Sequence, residues 1–158
     1  KPSVCFYVRN AASKYIRDEQ WQLLHDLIFA TEEKAKTKRA CSCPANVCCH
    51  DLEEKDGLGR TILHEVCMCH PTVEIVRVVL TTFPEMTTSI DTLGKSPLHV
   101  AVQCRSSTSV IQSLVECNPR SAEVQDWEGL TPLMIACDQI GLLDPASGDG
   151  TRNLVELI

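Results

Sequence analysis

One twelve-residue pattern occurs three times in this chain at a fixed spacing, and it constrains the fold more than any other feature. Its copies begin at Asp56, Asp91 and Asp126, so successive copies start 35 residues apart. A period between about 20 and 50 residues is typical of solenoids and propellers, in which each unit packs on its neighbours. The sequence therefore predicts an array of small units.

Each copy carries the signals of a tight turn followed by a helix. It opens with Asp-x-x-Gly, in which glycine can adopt positive φ and the aspartate side chain can accept hydrogen bonds from nearby amides. Thr61, Ser96 or Thr131 then stands at the helix N-cap, and Pro97 and Pro132 occupy the first helical position, where the missing N–H costs nothing. Apolar residues follow at i, i+3 and i+4, which predicts one buried stripe on this first helix.

A second helix is predicted in each copy. In the first copy its apolar residues are Ile75, Val76, Val79 and Leu80. They recur 35 residues later as Val110, Ile111, Leu114 and Val115. Pro84 and Pro119 are placed to end the two helices, because proline cannot continue a helix interior. The unit is thus turn, helix, helix and loop.

This unit resembles the ankyrin repeat, whose fingerprint is Thr-Pro-Leu-His-x-Ala. The second copy reads Ser-Pro-Leu-His-Val-Ala over residues 96–101, the first reads Thr-Ile-Leu-His, and the third reads Thr-Pro-Leu-Met. The resemblance covers residues 56–158 and implies an all-α ankyrin-repeat solenoid of about three and a half helix-turn-helix repeats. It also implies that the turn before each first helix projects as a short β-hairpin, here called a finger. We expect repeats at residues 56–90, 91–125 and 126–158.

The N-terminal part is predicted to be a degenerate capping repeat over residues 1–33. Its apolar spacing at Leu23, Leu24, Leu27 and Ile28 matches that of a second helix, which we place at residues 18–30. Residues 4–8 alternate like a strand, but in such a stack we favour helix or irregular structure. Two insertions interrupt the array: a cysteine-rich segment at residues 34–55 and a loop at residues 141–150.

Composition limits the class of protein and of partner. The chain of 158 residues is 44% hydrophobic, and its net charge of −6 argues against nucleic acid as the main partner. The sequence contains no run of 18 apolar residues, so it predicts no transmembrane segment. The sequence opens on Lys1 and stops within an apolar helical pattern, so we expect it to belong to a longer protein. We also expect an intracellular protein, in which thiols stay reduced.

The cysteine-rich insertion contains the strongest candidate metal ligands. They are Cys41, Cys43, Cys48, Cys49 and His50. Five soft ligands within ten residues could hold a structural zinc ion, although the spacing is not that of a standard zinc finger. Disulfide bonding and free thiols remain open as alternatives. By contrast, Cys67 and Cys137 take a small position of the repeat and Cys117 lies on a second helix, so all three are predicted to be core thiols.

The sequence gives no indication of catalysis. His64 and His99 fall on the motif histidine, which the resemblance implies makes structural hydrogen bonds within and between repeats. No phosphate-binding loop, dinucleotide fingerprint or His-Glu-x-x-His motif is present. We predict that the chain is not an enzyme and needs no cofactor apart from the possible zinc.

A partner-binding surface is predicted along the fingers and the adjoining first helices, because apolar residues stand where a lone domain would carry polar ones. Its expected apolar centre is Leu58, Leu93, Trp127 and Leu130. Its charged and polar rim is Arg60, Thr92, Lys95 and Glu128, and its helical floor is Glu65, Met68, Gln103 and Asp138. Trp127 could instead pack on the neighbouring finger.

The predicted function is protein recognition without catalysis, by a scaffold, an adaptor or a subunit of a larger assembly. Two alternatives remain open. The chain could be a regulatory ankyrin segment of a larger enzyme, or the cysteine cluster could make it a zinc-binding or redox-sensing module.

Overall fold

The computed structural model describes residues 4–36 and 52–141. Seven α-helices lie in these two ranges. They are α1 Val4–Arg17, α2 Trp21–Lys36, α3 Ile62–Met68, α4 Val73–Thr82, α5 Pro97–Gln103, α6 Thr108–Cys117 and α7 Pro132–Gly141. The fold is the all-α repeat solenoid that the sequence predicts.

The helices form two layers. The first helices of successive units, α1, α3, α5 and α7, pack side by side, and the second helices α2, α4 and α6 form a parallel row behind them. Within each pair the two helices also contact one another, as α5 does with α6. The core runs between the layers and is filled by aliphatic side chains such as Ile28, Leu63 and Leu98. Full burial of one such side chain stabilises the fold by about 2 kcal/mol.

Local chemistry sets the helix boundaries. The first helices begin at Ile62, Pro97 and Pro132, each directly after its predicted N-cap residue. The Ser96 hydroxyl accepts a hydrogen bond from the His99 amide, which satisfies one free N–H of the first turn. The second helices α4 and α6 end two residues before a proline, and short 3-10 turns follow at Pro84–Thr88 and Pro119–Ala122. These predictions are confirmed.

The N-terminal pair departs from the predicted boundaries. Residues 4–8 are helical, as favoured, but the second helix begins at Trp21 and runs to Lys36 instead of covering residues 18–30. The reason is a turn between α1 and α2, in which Glu19 adopts a φ of 53° and the Gln20 amide donates to the Tyr15 carbonyl. At its other end, α2 reaches into the segment assigned to the insertion, since it runs to Lys36.

The fingers are shorter than the β-hairpins that the resemblance implies. Residues 56–60, 91–95 and 126–130 each form a tight turn closed by one hairpin-type bond, such as the 2.9 Å bond from the Asp56 amide to the Arg60 carbonyl. Regular strands do not occur anywhere in residues 4–36 and 52–141. Inside each turn a second backbone bond runs from the finger glycine to the first aspartate, as from the Gly59 amide to the Asp56 carbonyl at 2.9 Å.

Two of the predicted core thiols are exposed. Cys67 is buried between α3 and its neighbours, and burial raises the pKa of its thiol. Cys137, the equivalent residue of α7, is exposed, because none of the described elements packs on the side of α7 that faces away from α5. Cys117 is exposed as well.

None of the seven helices is both long and apolar enough to cross a membrane.

Candidate protein-recognition surface

Each finger is held by its first aspartate. One carboxylate oxygen of Asp56 accepts hydrogen bonds of 2.8 Å from the amides of Leu58 and Arg60, and Asp91 and Asp126 do the same in their own fingers. Burial acts to raise the pKa of Asp56 and of Asp126, but these backbone bonds and a neighbouring cation outweigh it, so both pKa values are lowered. The turn closes at a glycine whose φ lies between 74° and 78° in all three copies.

Successive fingers are hydrogen-bonded tip to tip. The Thr92 amide donates to the Leu58 carbonyl at 2.9 Å, and the Trp127 amide donates to the Leu93 carbonyl at 3.0 Å. These bonds fix the spacing of the fingers, because each one joins the tip residues directly. The three fingers therefore form one continuous row.

Buried histidines anchor the row to the helices. His64 Nδ1 accepts a bond from the Thr61 amide at 3.2 Å, so its Nε2 carries the proton and donates to the Lys95 carbonyl at 3.1 Å. His99 repeats this arrangement one unit later, with its Nε2 donating to the Leu130 carbonyl at 3.1 Å. Burial lowers the pKa of both imidazoles and so favours the neutral form. The predicted structural bonds within and between repeats are confirmed.

Arg9 takes the histidine's place in the N-terminal repeat, a role that sequence reasoning missed. Its Nη2 donates to the Arg60 carbonyl at 3.2 Å, and this carbonyl is equivalent to the ones that His64 and His99 reach. The same nitrogen lies 2.8 Å from Glu65 Oε1, and both side chains of this ion pair are largely buried. Glu65, predicted as part of the floor, is thus engaged within the protein.

The finger tips present a row of exposed apolar side chains. Leu58 is 53% exposed, Leu93 is 59% exposed and Trp127 is 69% exposed, and Met68 on α3 lies beside this row. Arg60 Nη1, in the first finger, lies 3.3 Å from the Met68 sulfur. We call these four residues the finger ridge. Four predicted polar residues around it are exposed too, namely Thr92, Gln103, Glu128 and Asp138.

Three other predicted site residues make contacts within the protein. Leu130 is half-buried and packs against the core, so it does not belong to the exposed centre. The Arg60 guanidinium lies 2.8 Å from Asp56 within its own finger, and Lys95 Nζ lies 3.3 Å from Asp126 of the next finger. Both cations of the expected rim are therefore already paired.

Trp127 combines the two interpretations that its sequence position allowed. A Cβ atom built on Gly94 would lie 2.8 Å from Trp127 Cδ2, so the indole packs directly on the backbone of the neighbouring finger. Its Nε1 donates to the Thr92 carbonyl at 3.0 Å. The ring is fixed by these contacts and yet remains mostly exposed.

Met134 is an exposed apolar residue that sequence reasoning did not assign to the surface. It stands at the histidine position of the third copy, where a thioether cannot make the bridging bond, and it is 50% exposed. The departure from the motif was the available signal.

The predicted metal ligands Cys41, Cys43, Cys48, Cys49 and His50 lie outside the described residues. Within residues 4–36 and 52–141, no group of three or more His, Cys, Asp or Glu side chains is arranged to hold a metal ion. The zinc site therefore stays a prediction.

Comparison with known proteins places the chain in a family. The family model for ankyrin repeats, in three copies, matches residues 27–126, which is more than half of the chain. Ankyrin repeats generally serve as non-catalytic modules for protein interaction. No curated protein matches the chain. The matched residues contain the first two complete units and their bridging histidines, and the chain belongs to the ankyrin-repeat family.

Proposed function

We propose that this chain is a non-catalytic recognition module that binds another protein through the finger ridge, Leu58, Met68, Leu93 and Trp127. One observation carries the proposal: apolar side chains are exposed on three consecutive fingers that are hydrogen-bonded to one another. A contiguous exposed apolar patch on a folded domain is typical of an interaction site.

The rigidity of the ridge supports binding. Ordering of side chains and loops usually opposes association by about 0.5 to 1.5 kcal/mol for each immobilised side chain. Here the fingers are already tied by backbone bonds, and the Trp127 ring is already held by Gly94 and Thr92. Less ordering is then required when a partner binds.

The chemistry of the charged and titratable groups favours a protein partner over a substrate or a nucleic acid. Both ring nitrogens of His64 are engaged in structural hydrogen bonds, which leaves neither one to act as a base. Arg60 and Lys95 are neutralised by carboxylates, so they are poorly suited to bind phosphates. A scaffold, an adaptor or a subunit of an intracellular assembly fits these properties.

The test compares partners captured by three forms of the chain. The ridge variant carries Leu93→Ser and Trp127→Ala, and the matched control carries Leu23→Ser and Phe29→Ala, which remove two exposed apolar residues from α2. Quantitative mass spectrometry of captured proteins should show partners that the wild type and the control retain and the ridge variant loses. Thermal unfolding of each form checks that the fold is kept.

Affinity for a captured partner then measures the ridge directly. Trp127→Ala should weaken binding by about 2 kcal/mol or more, roughly 30-fold, because a central tryptophan is a common hot spot. Calorimetric titration of the purified pair provides the dissociation constant. Unchanged binding by the ridge variant, with loss in the α2 control, would place the site on the second-helix layer and reject the proposal.

A further inference from the structure

The character of the surface changes along the solenoid. Equivalent finger positions read Leu58, Leu93 and Glu128 in successive units, and equivalent positions on the first helices read Met68, Gln103 and Asp138. All six side chains are exposed. Both rows thus run from apolar in the first unit to acidic in the third. A partner that lies along the fingers meets two chemically different ends.

Within residues 4–36 and 52–141, no basic side chain pairs with the acidic end of the row. In the first two units the basic residue at the base of the finger pairs internally, Arg60 with Asp56 and Lys95 with Asp126. In the third unit this position is Leu130. Among the residues that the structure describes, Glu128 and Asp138 have no ion-pair partner. Both carboxylates are exposed and can attract a cation that a partner brings.

Trp127 belongs to the third finger and leans back onto the second, and its outer ring face stays exposed. The other face lies on Gly94, and the Nε1 bond to Thr92 prevents the ring from turning away. An indole face attracts a lysine or arginine side chain through its quadrupole, and the attraction strengthens when the cation is shielded from water. Glu128 follows Trp127 in the chain, and its side chain is exposed as well.

We propose that the partner presents a linear segment with apolar side chains at one end and a lysine or arginine at the other. The apolar end lies on Leu58 and Met68, and the cation stacks on the open face of Trp127 next to Glu128. This inference rests on the proposed function, because it assigns the chemistry and the direction of the segment that the finger ridge binds. Charge complementarity selects a basic end over an acidic one.

Selection from a phage-displayed library of random 16-residue peptides tests the proposal on the whole chain. The wild type should enrich peptides that combine an apolar cluster with lysine or arginine toward one end. A charge-reversed form with Glu128→Lys and Asp138→Lys should instead enrich aspartate or glutamate at that end and keep the apolar cluster. The Leu23→Ser and Phe29→Ala control should select the same peptides as the wild type.

One selected peptide, labelled with a fluorophore, then gives affinities by anisotropy. Charge reversal should weaken its binding about tenfold or more, and replacing its basic residue by glutamate should restore binding to the reversed form. Trp127→Leu keeps an apolar side chain but removes the aromatic face. It should lower the affinity for this peptide about two- to fivefold. When the basic residue of the peptide is replaced by norleucine, Trp127→Leu should lower the affinity by a smaller factor.

The possible results separate the two proposals. Selected peptides whose binding requires Leu58 and Leu93, but which are not enriched in lysine or arginine, would reject the proposed basic end of the segment. The finger ridge would remain the binding surface. Identical peptides selected by the wild type and by the charge-reversed form would do the same. Peptides insensitive to Leu58→Ser, Leu93→Ser and Trp127→Ala, or no enriched peptide at all, would reject both.

Discussion

The two joints between successive fingers share one backbone frame. The first joint links finger 56–60 to finger 91–95, and the second links finger 91–95 to finger 126–130. Each has a tip-to-tip amide bond, of 2.9 Å in the first joint and 3.0 Å in the second, and a bridging histidine bond of 3.1 Å. The same geometry is produced twice by the same motif.

The side chains across the two joints differ. In the second joint Lys95 reaches forward to Asp126, and the Trp127 indole covers Gly94, whereas in the first joint Arg60 turns back to Asp56 in its own finger. The repeat motif therefore supplies the scaffold, and the residues that vary between copies decide which joint is braced. The braced joint is the one that carries the exposed Trp127 indole, which is the arrangement expected of a preorganised binding surface.

Loss of a bridging histidine should lower the stability of the fold more than any other single change considered, and by the same amount at both joints. His64→Ala and His99→Ala each remove a buried ring, one of the two hydrogen bonds that the finger carbonyl accepts, and the acceptor of the N-cap amide. The free energy of unfolding should fall by about 3 kcal/mol. Urea denaturation provides the measurement, and His25→Ala, on the exposed side of α2, should change it little. A large loss at one joint and almost none at the other would disprove the shared frame.

Adding a methyl group to the finger glycines separates backbone strain from the tryptophan contact. Gly129→Ala meets no atom within 4 Å and should cost about 1 kcal/mol for positive φ alone. Gly94→Ala has the same strain, but its new Cβ would also lie 2.9 Å from the Trp127 amide nitrogen and 2.8 Å from the ring, so about 3 kcal/mol is expected. In thermal unfolding, Gly94→Ala should have a clearly lower midpoint temperature than Gly129→Ala. Equal effects would show that Trp127 does not pack on the second finger.

Removing one cation from each joint tests the direction of the ion pairs. Lys95→Met leaves the fully buried Asp126 carboxylate with one oxygen that has no other hydrogen-bond partner among the described residues, and should cost about 1.5 kcal/mol. Arg60→Met breaks a more exposed pair within one finger and should cost about 0.5 kcal/mol. If Arg60→Met proves the more damaging change in chemical denaturation, the Lys95–Asp126 pair between fingers is not what braces the second joint.

The repeated elements could be predicted because short-range chemistry determines them. The N-cap residue and the first-turn proline start α5 and α7 at Pro97 and Pro132, and proline ends the second helices, without help from distant contacts. The exposure of Leu58, Leu93 and Trp127 followed for a similar reason. A side chain at the tip of a five-residue turn cannot reach the core.

Long-range pairings could not be predicted. Arg9 bonds to partners 45 to 56 residues away, and no repeat motif marks it in the sequence. The choice of Lys95 for Asp126 over its own Asp91 depends on the relative placement of two fingers. Glu65 was misplaced for the first reason, and Leu130 was misplaced because its packing against the core depends on how α7 sits beside α5.

Mild acid should weaken both joints together, because each joint contains one buried bridging histidine. Burial lowers the pKa of His64 and His99 in the native state, against the opposing effect of the carbonyl bond that each one donates to and of nearby Asp91 or Asp126. Below the ordinary pKa of about 6.5, the unfolded chain takes up protons that the native imidazoles do not, so stability that is complete above this pH is lost as the pH falls.

Between pH 7 and pH 6 the loss should be about 1 kcal/mol for the two histidines together. Urea denaturation across this range measures it, and the double variant His64→Gln and His99→Gln should show a flatter profile although it is less stable at every pH. Each single variant should remove about half of the pH dependence, because the joints have the same frame. A profile that stays steep in the double variant would assign the proton uptake to other groups, and a single variant that abolishes it would show that the two joints differ in their histidines as well as in their ion pairs.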